Sequence, residues 1–361
     1  MKKYLLFFLT TVIFFFIYQY YVFKKVNVVE SQYIEDVVNV PFEFIDGKII
    51  IDCTYKNKGF RFLVDTGASN SVIYNSNRKS FLYLIGVDIN NYPFFTQVIN
   101  MENLSIGGRK IYSSYFRNMK NTPILYDGII GNNILQKYNV LIDFNKKILS
   151  LSSKKKFILE NNIFTNVHFR GNKIYVKINT NNFLLDTGAN NVLSIMTDSL
   201  KQKAKYQIIY GNMLKGITKK NIYEKEFIAE ITNFKISNKY IVDTLQLYTS
   251  KQAKSIMGTG FLKNFKIAIN YKDRTVYIQK DKKNGFIHNE LGFRIGENNT
   301  VDYVISNSIA DKRGKKVGAI VKKINKKILN SRDKFKIQEM KTFELTILQD
   351  GKMLNFYFPT K

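Results

Sequence analysis

Two aspartates stand in the same tetrapeptide at two places in the chain, Asp65-Thr66-Gly67-Ala68 and Asp186-Thr187-Gly188-Ala189. A lone Asp-Thr-Gly is often an ordinary strand-to-turn junction, with Asp as the turn residue and Gly at the permissive position. Here each copy follows an apolar run, Phe62-Leu63-Val64 or Phe183-Leu184-Leu185, so matching strands deliver two carboxyl groups into matching turns. Two carboxyl groups forced within hydrogen-bond range cannot both ionise, and the pair holds one proton across a wide pH interval. The ionised partner can take a proton from a water attacking a peptide carbonyl. The protonated partner can donate to the carbonyl oxygen, and later proton transfer to nitrogen releases the amine. The chemistry requires no cofactor, and its near-symmetry leaves the two aspartates without separate roles.

The elements that must position this pair are themselves duplicated. Downstream of the first tetrapeptide lie Ile129-Ile130-Gly131 and Val140-Leu141-Ile142-Asp143; downstream of the second lie Ile256-Met257-Gly258 and Ile267-Ala268-Ile269-Asn270. Gly131 to Asp143 and Gly258 to Asn270 both span 12 residues. Upstream, Gly47-Lys48-Ile49-Ile50-Ile51 mirrors Asn172-Lys173-Ile174-Tyr175-Val176. The repeat covers most of residues 40–280, and a unit of this size predicts two lobes of one domain, not a solenoid. Short apolar runs between Asn-Gly, Gly-Asn, Asn-Lys and Gly-Gly signals predict a mainly β chain without long amphipathic helices. Tyr83–Gln97 and Ile208–Thr218 are the candidates for substrate-covering flaps. Asp127, Asp143 and Asp198 read as turn or solvated positions.

Composition narrows the chemistry further. A hydrophobic content of 45% over 361 residues supports two or three domains with proper cores. The single cysteine, Cys53, excludes an intramolecular disulfide and reads as a strand residue. His168 and His288 are the only histidines and lack Cys or His neighbours at ligand spacing, which argues against zinc or a Ser-His-Asp triad. The net charge of +28 comes from lysines scattered among Asn, Ile, Tyr and Phe, so no specific nucleic-acid site is expected. A basic surface beside an anionic bilayer would still be attracted to it.

The amino terminus reads as a targeting segment. Met1-Lys2-Lys3 precedes an apolar stretch from Tyr4 to Phe23, long enough for a bilayer core, and Lys24-Lys25 closes it. Bulky Phe14, Phe15, Phe16 and Tyr18 stand where a cleaved signal needs small residues, so an uncleaved anchor over residues 1–25 is expected. The body is expected outside the cytoplasm, with a cleaved signal and secretion as the alternative. Residues 26–39 read as a tether, 40–157 and 158–280 as the two lobes, 281–290 as a linker and 291–361 as a further small domain.

The paired tetrapeptides, each followed at a lobe's distance by two apolar residues and glycine, resemble the retropepsin-like, pepsin-related aspartic proteases. More closely, the chain resembles bacterial membrane or secreted members that fuse such a protease region to a C-terminal PDZ domain. The resemblance implies two pseudo-symmetric β lobes with the active site between them, a polypeptide substrate and an inner-membrane anchor with the body on the periplasmic side. It assigns catalysis to Asp65 and Asp186 and implies that Thr66 and Thr187 hydrogen-bond across the lobe interface. Gly67 and Gly188 would let backbone approach the carboxylates, and Gly131 and Gly258 would pass beside the active-site loops. Ala68 and Ala189 stand where pepsin-like enzymes carry a hydroxyl residue. Retroviral relatives supply one motif per subunit, whereas this chain carries both, so a monomeric catalytic unit is expected.

After residue 290 the chain resembles a short PDZ domain of the α+β kind. Leu291-Gly292-Phe293 matches its carboxylate-binding loop, Ser308-Ile309-Ala310 the usual Ser-Pro-Ala, and Gly314 to Asn325 the stretch that normally reads Gly-Leu-x-x-Gly-Asp before an Ile-Asn turn. Ile309 replaces Pro and Ala319 replaces Asp. A working groove would hold a peptide carboxylate on the loop amides while the peptide adds a strand; otherwise the segment is a small β cap on the second lobe. The leading expectation is a membrane-tethered endopeptidase. The alternatives are a catalytically weak peptide-binding envelope protein using cleft and groove, and a structural protein with a decayed site.

Overall fold

The computed structural model describes residues 2–359 except 28–36, 88–91, 112–113, 121–124, 165, 196–205, 212–225, 239, 250–254, 282–291, 297–298, 330–336, 338–339 and 341. His288, Leu291 and Asp198 therefore lie outside the described residues, as does the greater part of Ile208–Thr218. The chain is mainly β with one long N-terminal apolar helix, as its short apolar runs and frequent Asn and Gly turns dictate.

In the first half, strands Val38–Ile45, Lys48–Tyr55 and Lys58–Val64 form successive antiparallel hairpins. The first turn is Asp46-Gly47, both at positive φ, the conformation a two-residue hairpin turn demands. Strand Gly128–Ile130 then inserts parallel to Lys58–Val64 and antiparallel to Ser71–Tyr74, the strands on either side of Asp65. The second half repeats this arrangement. Ile256–Met257 lies parallel to Asn181–Leu185 and antiparallel to Leu193–Ile195, around Asp186.

The halves share a sheet. Asn139–Asp143 pairs antiparallel with Phe265–Asn270, with Leu141 opposite Ala268 at the centre of the register. Leu141 and Ala268 are equally far from Gly131 and Gly258, so a two-fold relation between the halves passes through this pair. One continuous apolar cluster fills both halves, and Phe62, Phe183, Phe261 and Phe265 are fully buried in it. Truncating any of these rings to alanine costs about 3–5 kcal/mol.

Two further elements attach to this frame. Leu82–Val87 and Pro93–Asn100 form a hairpin over the predicted flap segment Tyr83–Gln97, and Leu82–Val87 is the terminal strand of its sheet. The C-terminal segment has its own core, including Phe293, Val301, Ala310, Val321, Phe343 and Phe358. Its strand Val301–Ile305 pairs antiparallel with Tyr206–Gly211 of the second half. Gly292, at positive φ, packs so closely on Ser308 that a Cβ there would lie 1.9 Å from that side chain. Ser308 caps the helix Ile309–Lys312 by accepting the Asp311 amide at 3.3 Å. Ile309 is the first residue of that helix, a position suited to proline.

The N-terminal helix runs from Lys2 to Asn27. Its apolar span, Tyr4–Val26, has mean hydropathy 1.9 and is long enough to cross a membrane or to serve as a signal sequence. Val26, read from sequence as the start of a tether, is buried against the body together with Val22.

Candidate active site

Each aspartate leaves the end of a buried strand and is fixed by its neighbours on both sides. The Asp65 amide donates to the Ile130 carbonyl at 3.0 Å, and the Asp186 amide to Met257 at 3.0 Å. One carboxylate oxygen of Asp65 accepts the amides of Gly67 (2.8 Å) and Ala68 (3.0 Å). The same oxygen of Asp186 accepts those of Gly188 (2.9 Å) and Ala189 (3.1 Å). The two carboxyl groups stand close enough that each perturbs the other's ionisation.

Behind the carboxyl groups, the threonines join the two loops. The Thr66 hydroxyl donates to the Leu185 carbonyl (2.8 Å) and accepts the Thr187 amide (3.1 Å). Reciprocally, the Thr187 hydroxyl donates to Val64 (2.7 Å) and accepts the Thr66 amide (3.0 Å). Both threonines are fully buried. The glycines make the approach sterically feasible: a Cβ on Gly67 would lie 2.3 Å from the Asp186 carboxyl carbon, and one on Gly188 2.4 Å from an Asp65 oxygen. Gly131 and Gly258 pass just as closely beside the loops. A Cβ there would stand 2.7 Å from the Asn70 carbonyl oxygen and 2.4 Å from that of Asn191.

Electrostatics follow from burial and proximity. Desolvation raises both carboxyl groups above the ordinary carboxylate range. For Asp186, only 8% exposed, the adjacent charge of Asp65 adds to burial and pushes it well above that range. For Asp65 the loop amides and the positive charge of Lys173 oppose the rise. Lys48 acts on the same pair: burial lowers its ammonium first, while Asp46, Asp65 and Asp186 pull it back up. Lys48 and Lys173 occupy mirrored sequence positions, so each half contributes one cation near the dyad.

Residues that no sequence motif marks buttress these loops. The Asn132 side chain donates to the Thr66 carbonyl at 2.6 Å and accepts the Tyr271 hydroxyl at 2.6 Å, linking the halves a second time. Burial and Asp65 raise the Tyr271 phenol, holding it as a donor. Asn133 accepts both the amide and the hydroxyl of Ser71 at 2.7 Å. In the second half, Thr259 donates to the Ala189 carbonyl at 2.9 Å and to the carbonyl of Gly47. The adjacent Asp46 pairs with Arg294 of the C-terminal segment at 3.5 Å.

The remaining described acidic and polar candidates have other surroundings. Asp127 accepts the Arg61 amide at 2.8 Å, and Asp143 accepts the Lys146 amide and pairs with Lys266 at 3.2 Å. Cys53 is buried in its strand, and burial pushes its thiol far up. His168 stacks on Tyr175. Of the residues expected from sequence to form a carboxylate-binding loop, Gly292 packs closely on Ser308, and Phe293 lies in the core of the C-terminal segment.

No protein-family model matches the chain, and no curated protein resembles it significantly.

Proposed function

We propose that the protein is a membrane-tethered aspartic endopeptidase whose two catalytic carboxyl groups, Asp65 and Asp186, come from one chain. The observation that carries this reading is the close approach of two buried carboxyl groups in symmetry-related loops, each held by the same pair of loop amides and joined by the crossed threonine bonds. Both carboxyl groups are raised, which favours a single shared proton above the ordinary carboxylate range. In that state one carboxylate takes the proton of an attacking water and the other donates to the scissile carbonyl oxygen. The four threonine hydrogen bonds fix the separation of the acids, so little reorganisation accompanies the proton transfers. The two lobes would be residues 40–157 and 158–280.

In this reading residues 291–361 form a PDZ-like domain. Tight packing of Gly292 on Ser308, the Ser308 cap and the separate apolar core support that assignment. A peptide carboxylate at the loop before Phe293 is its expected ligand. The test of the enzyme is cleavage of a peptide library by purified residues 35–361, with and without a pepstatin-type inhibitor. Inhibitor-sensitive cleavage at defined bonds supports an endopeptidase. Saturable peptide binding without cleavage would transfer the reading to a peptide-binding envelope protein.

A further inference from the structure

We propose that the hairpin Leu82–Val87 and Pro93–Asn100 is an interfacial membrane element that enters the same bilayer as the N-terminal helix. The inference rests on that helix being a retained anchor, as in the reading above. The first observation is one of depth. Tyr4 to Phe23 is 20 residues, about 30 Å of helix, which matches a hydrocarbon core of about 30 Å and brings Lys24-Lys25 to its boundary. The hairpin is bonded to the helix within this span. Tyr18 accepts the Tyr83 amide at 3.0 Å and donates to the Phe81 carbonyl at 2.9 Å. Gln19 accepts the Ile85 amide at 3.1 Å. Tyr18 lies six residues before Lys24, about 9 Å deeper along the axis. A bilayer that covers the whole apolar span therefore covers this edge of the sheet as well.

The second observation is chemical. The outward face of the hairpin is apolar where a solvated strand would alternate to polar: Val87 is 66% exposed, Phe95 57% and Ile85 44%, and Phe81, just before the first strand, is 97% exposed. Tyr83 stacks on Phe95 with ring centroids 5.2 Å apart. The edge is also dressed for a low-dielectric medium. Besides the bonds above, the Tyr83 carbonyl accepts from Gln19 at 3.4 Å, and the Ile85 carbonyl accepts from the Arg117 guanidinium at 2.9 Å. All four backbone polar groups of Tyr83 and Ile85 thus find side-chain partners, which an edge strand in water does not need and one in lipid does. Just past Phe23, Lys25, Arg78 and Lys79 line one cavity with a single acidic residue, Glu102, where anionic headgroups would meet the cations.

The chain contains no tryptophan, so single substitutions report locally. Phe95→Trp and Val87→Trp, each in full-length protein, go into phosphatidylcholine–phosphatidylglycerol vesicles with or without brominated acyl chains. Phe8→Trp in the anchor and Tyr357→Trp on the C-terminal strand serve as references. The expected result is blue-shifted emission and bromine quenching for both hairpin variants, comparable to Phe8→Trp and absent in Tyr357→Trp. Hairpin indoles that emit and resist quenching like Tyr357→Trp, while Phe8→Trp is quenched, would overturn the inference and leave the anchor standing. Loss of quenching in Phe8→Trp too would overturn the anchor and the inference together.

Discussion

Thr66 and Thr187 each take the other's backbone amide on the hydroxyl and give that hydroxyl's proton to the carbonyl preceding the other's aspartate. Positioning of the dyad and cohesion of the two halves therefore share the same four hydrogen bonds. Thr66→Val keeps the shape but strands a buried amide and a buried carbonyl. We expect a stability loss of roughly 2–5 kcal/mol, read from denaturant midpoints, with a fall in cleavage. Thr66→Ser, which keeps the hydroxyl, should recover the greater part of both.

The raised dyad makes stability depend on pH with a definite sign. Between the ordinary aspartate range near about 4 and the folded value, the folded chain holds a proton that the unfolded chain has released. Stability from this pair is therefore present at low pH and is lost as pH rises through the folded value. Asp186→Asn removes the conflict and should raise the melting temperature at neutral pH, with the gain shrinking as the pH is lowered. An equal gain at all pH values would show that the pair is not strained by charge.

Ala68 leaves the Asp65 carboxylate with two amide donors and no hydroxyl donor from its own side chain. Ala68→Thr adds such a donor, and Ala68→Ser does so in a smaller volume. Either should favour the ionised form and lower the first ionisation of the dyad. Activity that needs one proton on the pair would then extend to lower pH. The acidic limb of the rate profile should move downward, and an unmoved limb would discard this role for the missing hydroxyl.

Lys315 is 3% exposed, with its ammonium 3.5 Å from the Phe293 ring centroid and 4.4 Å from that of Phe358. Its nitrogen has no hydrogen-bond partner among the described residues, and burial lowers it to about 6. The unfolded chain binds a proton there that the folded chain rejects, so stability should rise with pH from about 6 upward. Lys315→Met should stabilise the C-terminal segment near neutrality by on the order of 3 kcal/mol and flatten that dependence, as thermal unfolding across pH would report.

The approach of Asp65 to Asp186, the crossed threonine bonds and the close-packed glycines were legible in the sequence because these residues are confined to short segments that occur twice in register. Lys48 and Lys173 stood in the mirrored segments too, but one lysine after a turn is inconspicuous in a chain with 56 lysines and arginines. The link from Asn132 to Tyr271 joins residues 139 apart and leaves no local periodicity to read. Pairing of Tyr206–Gly211 with Val301–Ile305 is equally non-local. Docking of the hairpin on the helix had one signal, the polar Gln19 inside the apolar run, and its partner is backbone that no side-chain pattern marks.

Cleavage by Asp65→Asn, Asp186→Asn and the double variant tests the central claim most directly, using an inhibitor-sensitive peptide and confirming each fold by circular dichroism. The account predicts that each single variant loses almost all activity and that the double variant is scarcely worse, because the two carboxyl groups act as one unit. Full activity in either single variant would contradict it.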